Sequence, residues 1–178
     1  VAPLQGFAQQ FMDEFGLEAP DPESLKVTRD PDEPLPLSAE FFEAQMEVVI
    51  EEQVPVYVSG LGNPGPWMDR LKANGTKVGA VVGKVKHAVQ VKSSGVDFIV
   101  AQGHDGGGHN SPIGTMALIP QVVDSVGDLP ILGAGGIGDG RGVAAAFMLG
   151  AEGVWVGSAF LASDEAGIFD FSKKDDDA

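Results

Sequence analysis

The sequence predicts an α/β fold built on a parallel sheet. Three observations carry that expectation. Five short apolar runs rich in Val, Ile and Ala recur from Val54 onward. Segments of about ten residues with helical spacing separate them. Glycines gather at the carboxyl end of each run: Gly60 and Gly62, Gly83, Gly103 to Gly108, Gly133 to Gly138, Gly157. Apolar strands alternating with helices that can cover both faces are the pattern of parallel strands joined by right-handed crossovers.

The elements follow in order. "GFAQQFMDEFG" spaces Phe7, Phe11 and Phe15 four apart, one helical stripe, with Gly16 as its C-cap. Residues 20–37 carry Pro20, Pro22, Pro31, Pro34 and Pro36 among many charges and read as an extended connection. Ser38 is an N-cap residue type, and a helix is expected from there to about Gln53, with Phe42, Met46, Val49 and Ile50 on its apolar face. "VPVYVSG" is the first strand, "NPGPWMDRLKANG" a short helix and turn, "KVGAVVG" the second strand and "KVKHAVQVKSSG" the next helix. "VDFIVAQG" is the third strand. A glycine-rich loop and the helix "TMALIPQVVDSV" follow it. "LPILGAGG" is the fourth strand, "DGRGVAAAFMLG" its helix and "AEGVWVGS" the fifth strand.

Composition narrows the function. The chain has 178 residues, 43% of them hydrophobic, enough for the core of one ordinary domain. Its formal net charge of -15 repels phosphate backbones, so nucleic acid is not an expected partner. Cysteine is absent, which removes disulfides and thiolate chemistry and suits a reducing cytoplasm. No apolar run approaches the ~18 residues a membrane span needs, and no basic segment leads an apolar one at the start. No metal-ligand spacing stands out.

In parallel sheets the functional loops sit at the carboxyl ends of the strands. "GAGGIGDG" (Gly133 to Gly140) joins the fourth strand to a helix starting near Asp139, so bare backbone N–H groups and the helix dipole can wrap an anion. The fifth strand ends in Val156, Gly157 and Ser158, adding a glycine and a hydroxyl. Two consecutive strand-end loops of this kind suit one phosphate, as in the last two loops of many (β/α)8 barrels. Gly133, Gly135 and Gly138 also fit G-x-G-x-x-G. The acid that a dinucleotide fold needs after the following strand is missing there, and Glu152 stands at the wrong end. A glycine-rich turn serving packing alone is the plain alternative.

"AQGHDGGGHN" (Ala101 to Asn110) follows the third strand. Small residues let a flat ring approach the backbone, and Gln102 could bond ring heteroatoms. His109 and His104 are both candidate bases, since an imidazole pKa of about 6.5 suits proton abstraction near neutrality. Spacing does not choose between them. His87, flanked by Lys86 and Lys84 in a helix, reads as a solvated surface histidine.

Together "AQGHDGGGHN", "GTMALIPQVVDSV" and "LPILGAGGIGDGRGVAAAFMLGAEGVWVGSAFLASDEA" resemble the FMN-dependent nitronate monooxygenases, formerly 2-nitropropane dioxygenases. The resemblance runs from about Val54 to Ala166. It implies a TIM barrel, FMN as cofactor and a catalytic base at His109 rather than His104. It implies flavin contacts at Gln102, Gly107 and Gly108 and phosphate contacts at Gly135, Gly136, Trp155, Val156, Gly157 and Ser158. For Trp155 a plain core or rim aromatic is the alternative. Ser158 stands where Thr is common, and Gly106 where Ala is common. "NSP" (Asn110 to Pro112) replaces a more usual glycine-containing stretch on the substrate side. The implied reaction is oxidative denitrification of a nitronate or nitroalkane with O2, giving a carbonyl compound and nitrite. FMN-dependent enoyl-ACP reductases share the fold and the glycine–histidine loop, so enoyl reduction is the alternative reaction.

A whole barrel needs eight strands and usually ~250 residues, against five strands expected here. If the last two loops hold phosphate, the five are strands 4–8 of a parent barrel. The expected organisation is then an N-terminal helix and proline-rich connection (1–40), a partial TIM-barrel FMN-binding domain (41–166) and a charged tail (167–178). A fragment of this kind leaves two sheet edges open, which invites self-association, and a catalytically inactive remnant is a further expectation.

Overall fold

A computed structural model describes Gly16 and residues 38–109 and 111–167. The predicted helix over Phe7 to Phe15, the proline-rich connection, Asn110 and the tail from residue 168 lie outside the described residues. The chain divides into two compact units, Val1–Phe42 and Glu43–Ala178.

Among the described residues five strands form one parallel sheet in sequential order. They are β1 (Val56–Ser59), β2 (Lys77–Val82), β3 (Phe98–Gln102), β4 (Ile131–Ala134) and β5 (Gly153–Trp155). The helices are α1 (Ala39–Glu51), α2 (Met68–Ala73), α3 (Val85–Ser93), α4 (Thr115–Val126), α5 (Gly140–Met148) and a short α6 (Ser158–Leu161).

Alternation along each strand separates two faces. Val78, Ala80 and Val82 of β2, Ile99 and Ala101 of β3, and Ile131 of β4 belong to one core cluster. Ala88 and Val91 of α3, Leu118, Ile119, Val122 and Val126 of α4, and Ala146 of α5 join them there. The opposite face presents Val58, Val81, Phe98, Val100 and Leu132. Large and small residues interdigitate on it: a Cβ on Gly79 would meet the Phe98 ring at 2.4 Å. β1 and β5 are the outer strands of the sheet among the described residues.

Local chemistry explains the boundaries. Ser38 accepts the Phe41 amide through Oγ at 3.1 Å, the N-cap bond its residue type favours. α1 ends at Glu51, before Gln53 takes a left-handed φ of 49°. The proline-rich start of the next helix splits off as a one-turn 3-10 helix, Gly65–Trp67, because Pro66 has no N–H to give. α4 keeps its full length with Pro120 inside it. Strand β5 stops at Trp155, and the chain turns at once into α6, an element the sequence patterning did not announce. No helix among the described residues is long and apolar enough to cross a membrane.

Candidate functional site

Because all five strands run the same way, their carboxyl-end loops share one edge of the sheet. A cleft of about 270 Å³ opens there. Gly60, Leu61 and Gly62 line it after β1, Gly83 and Lys84 after β2, and Gln102, His109, Ser111 and Pro112 from β3 and its loop. His87, from the first turn of α3, completes the wall. Gln102 and His109 are thus brought together. His104 is not in this cleft: its Nδ1 sits 3.6 Å from Asp105 Oδ1, and its Nε2 is against Gly114. Gln102 Nε2 donates to the Gly107 carbonyl at 3.1 Å, which braces the loop across its own width. The loop also folds back over β2, where a Cβ on Gly83 would meet Ser111 Cβ at 2.4 Å.

The second glycine loop follows β4. Gly135 and Gly136 take φ of 98° and 70°, conformations that favour glycine. Gly135 has no room for a side chain either, since a Cβ would stand 2.8 Å from the Gly106 nitrogen and from Thr115 Oγ1. The two loops therefore touch. Thr115, 4% exposed, sits at the join. Its Oγ1 donates to the Ala134 carbonyl at 3.1 Å, and its amide donates to Asp105 Oδ2 at 2.7 Å. The Thr115 amide, and next its side chain, hold the Asp105 carboxyl below the usual carboxylate range.

Asp139 caps the start of α5, accepting the Arg141 amide at 2.8 Å and the Gly142 amide at 3.4 Å, while its other oxygen pairs with the Arg141 guanidinium. Those two amides are therefore engaged within the helix, and the glycine loop before Asp139 keeps its backbone bare. Trp155 is half-exposed at the outer strand, opposite Ala134 in register, with Val156, Gly157 and Ser158 after it. Among the described residues no hydrogen bond engages the Ser158 hydroxyl. No group of three or more His, Asp or Glu among the described residues could hold a metal.

The fit of a flavin phosphate can be tested on these loops. A Cβ on Gly107, Gly138 or Gly157 would meet nothing within 4 Å, so bare backbone faces open space. Packing does not require those glycines, whereas a ligand lying close to the backbone would. The hollow lined by Gly114, Thr115, Gly135 and Gly136, and the open backbone at Gly138 and Gly157, leave room for the group.

The chain matches the nitronate monooxygenase family over residues 11–176. The chain belongs to that family. A "Probable nitronate monooxygenase" of Staphylococcus saprophyticus is 40% identical over 138 residues, covering 71% of this chain and 39% of the relative. An octahydro-indene-carboxyl-CoA dehydrogenase of Rhodococcus jostii is 41% identical over 129 residues, covering 72% and 36%. The structure of FabK from Thermotoga maritima superposes with a TM-score of 0.74 at 43% identity, over 78% of this chain and 44% of that one. Nitroalkane oxidase from Streptomyces ansochromogenes gives a TM-score of 0.70 at 28% identity, over 98% and 51%. The chain thus spans well under half the length of these curated relatives, and its five parallel strands are part of the family's (β/α)8 barrel.

Sequence reasoning passed over two groups that tertiary structure brings to the site. Lys84 and His87 line the cleft, although His87 read as a plain surface histidine. The available signal was position: Lys84 immediately follows a strand end. Asp105 and Thr115 join the loops; the acid position in the family's loop pointed to Asp105 without a role, and Thr115 carried no signal of its own.

Proposed function

We propose that this chain carries the flavin-binding half of an FMN-dependent nitronate monooxygenase acting on an alkyl nitronate or nitroalkane with O2. The observation that supports it most is the shared cleft of Gln102 and His109, whose loop packs through Gly106 on Gly135 of the second glycine loop. In this reading Gly135, Gly136, Gly157 and Ser158 hold the phosphate, with Trp155 and Val156 leading into that segment. Gln102, Gly107 and Gly108 lie along the ring. FMN supplies the electron transfer between substrate and dioxygen when bound. His109 takes the proton from the carbon beside the nitro group, or as a cation pairs with a nitronate already formed. Leu61, Val81 and Pro112 give the cleft its apolar wall. A cytoplasmic location goes with the absence of cysteine.

A second reading, FMN-dependent enoyl-ACP reduction, draws on the greater identity to FabK, 43% against 28% for nitroalkane oxidase. One experiment separates them. The 178-residue chain is titrated with FMN, desalted, and its visible spectrum recorded. Retained, perturbed flavin absorbance is expected. Nitrite release from ethyl nitronate in air then supports the first reading, and flavin bleaching by NADH under argon supports the second. Loss of all flavin on desalting refutes both for this chain.

A further inference from the structure

We propose that Asp105 is a positioning residue that couples the loop carrying His109 to the loop that takes the cofactor phosphate, so that occupancy of one orders the other. This rests on the reading of Gly135 and Gly136 as phosphate contacts. The geometry places Asp105 between the two. Its carboxylate accepts the Thr115 amide at 2.7 Å, and Thr115 in turn donates through Oγ1 to the Ala134 carbonyl at 3.1 Å. The Asp105 side chain also lies directly against the second loop, since a Cβ on Gly136 would stand 2.9 Å from Asp105 Cβ. The next residue repeats the contact, with Gly106 against Gly135. The Gly103 amide donates to the Ala134 carbonyl at 3.2 Å, so the root of the loop is anchored on the same strand end.

Beyond Gly106 the anchoring thins. Gly107 and Gly108 are exposed, and Gln102 braces them through one bond to the Gly107 carbonyl. His109 itself is exposed on the cleft wall. Three glycines before a working side chain give that side chain wide conformational freedom unless the loop root is held. Asp105 holds the root. A ligand that fixes Gly135 and Gly136 removes the space into which Asp105 and Gly106 could move, and so narrows the positions open to His109. The role is one of shared packing and one charge-assisted hydrogen bond, with no contact to the reacting atoms.

Hydrogen exchange read by mass spectrometry tests this on the 178-residue chain, with and without FMN. In the unaltered chain FMN should slow exchange both at residues 135–138 and at residues 104–109, by about threefold or more. Asp105→Asn keeps an acceptor for the Thr115 amide and should keep both effects. Asp105→Ala should keep the slowing at 135–138 and lose it at 104–109. Gly136→Ala approaches the same contact from the other side, and stands in should Asp105→Ala not fold. Without FMN it should speed exchange at 104–109, and unchanged exchange there would overturn the proposal. Equal slowing at 104–109 in Asp105→Ala and the unaltered chain overturns the coupling. So does slowing confined to 135–138 in the unaltered chain, which leaves the cofactor reading standing. FMN that slows exchange nowhere removes the cofactor reading and the coupling together.

Discussion

Gly107→Ala separates a glycine kept for a ligand from one kept for the fold. No atom would lie within 4 Å of the new methyl, and Gly107 is outside the left-handed region that only glycine adopts freely. The one bond it makes through its carbonyl, from Gln102 Nε2, is untouched by a methyl. The folded chain therefore loses nothing. The unfolded chain loses freedom, which favours folding by about 0.4–1 kcal/mol at a compatible position. At roughly 2–4 °C per kcal/mol, the melting temperature should hold or rise by a few degrees. Cofactor binding should respond in the opposite direction. A methyl keeps ring carbons about 3.5–4.0 Å away, beyond the reach of a backbone group that bonded the ring directly. Losing one such bond and its packing costs about 1–3 kcal/mol, a weakening of roughly 5- to 150-fold. FMN fluorescence quenching measures the affinity, and thermal unfolding without FMN measures the stability. Unchanged affinity with unchanged stability would refute the placement of the flavin against this loop. A large fall in stability would refute the open space around Gly107.

Three further outcomes are expected. Gly135→Ala forces a side chain into φ 98° and against the Gly106 nitrogen and Thr115 Oγ1, so urea unfolding should show a loss of about 2–5 kcal/mol; a loss under about 1 kcal/mol would mean the loops are not in contact. Asp97 is pushed up by desolvation, yet the Lys72 hydrogen bond, the Val78 amide at 2.7 Å and the Lys77 ammonium at 3.5 Å bring its carboxyl below the usual range. A depressed folded pKa gives stability that is present above the unfolded value of about 3.9 and lost as pH falls through the folded one. Asp97→Asn should therefore flatten the acid limb of the stability profile, and an unaltered limb would exclude Asp97 as its source. The outer strands β1 and β5 should make the chain self-associate, so its apparent mass on gel filtration should exceed 18.4 kDa and rise with concentration; a monomer across that range would contradict this.

The parallel sheet was legible before any coordinates, because buried parallel strands such as "VGAVV" and "FIVAQ" must be apolar on both faces and their helices must follow at crossover spacing. The helix over Thr115–Val126 was legible even through Pro120, since its apolar spacing outweighs one lost backbone bond. The end of α1 was less so: it stops at a left-handed Gln53, where no glycine marks the turn. The short α6 was hidden because four residues carry no periodicity.

By itself the sequence determined the element types, the family's glycine–histidine loop and the edge of the sheet where chemistry sits. Strand periodicity and the parallel direction are local properties, so they survive in one dimension. Only the tertiary structure decided which groups face one another. Residue spacing left His109 and His104 open as bases, and the family resemblance implied His109. In the fold His109 enters the cleft while His104 turns to Asp105, a choice made by loop packing on Gly83 and Gly135. Lys84 and His87 reach the same cleft because β2 and β3 are neighbours in the sheet. Asp139 takes the start of α5 for itself through a bond to its own helix, a cap that only the folded turn reveals. Contacts between residues far apart in sequence depend on register and burial together, and neither is written in the order of residues alone.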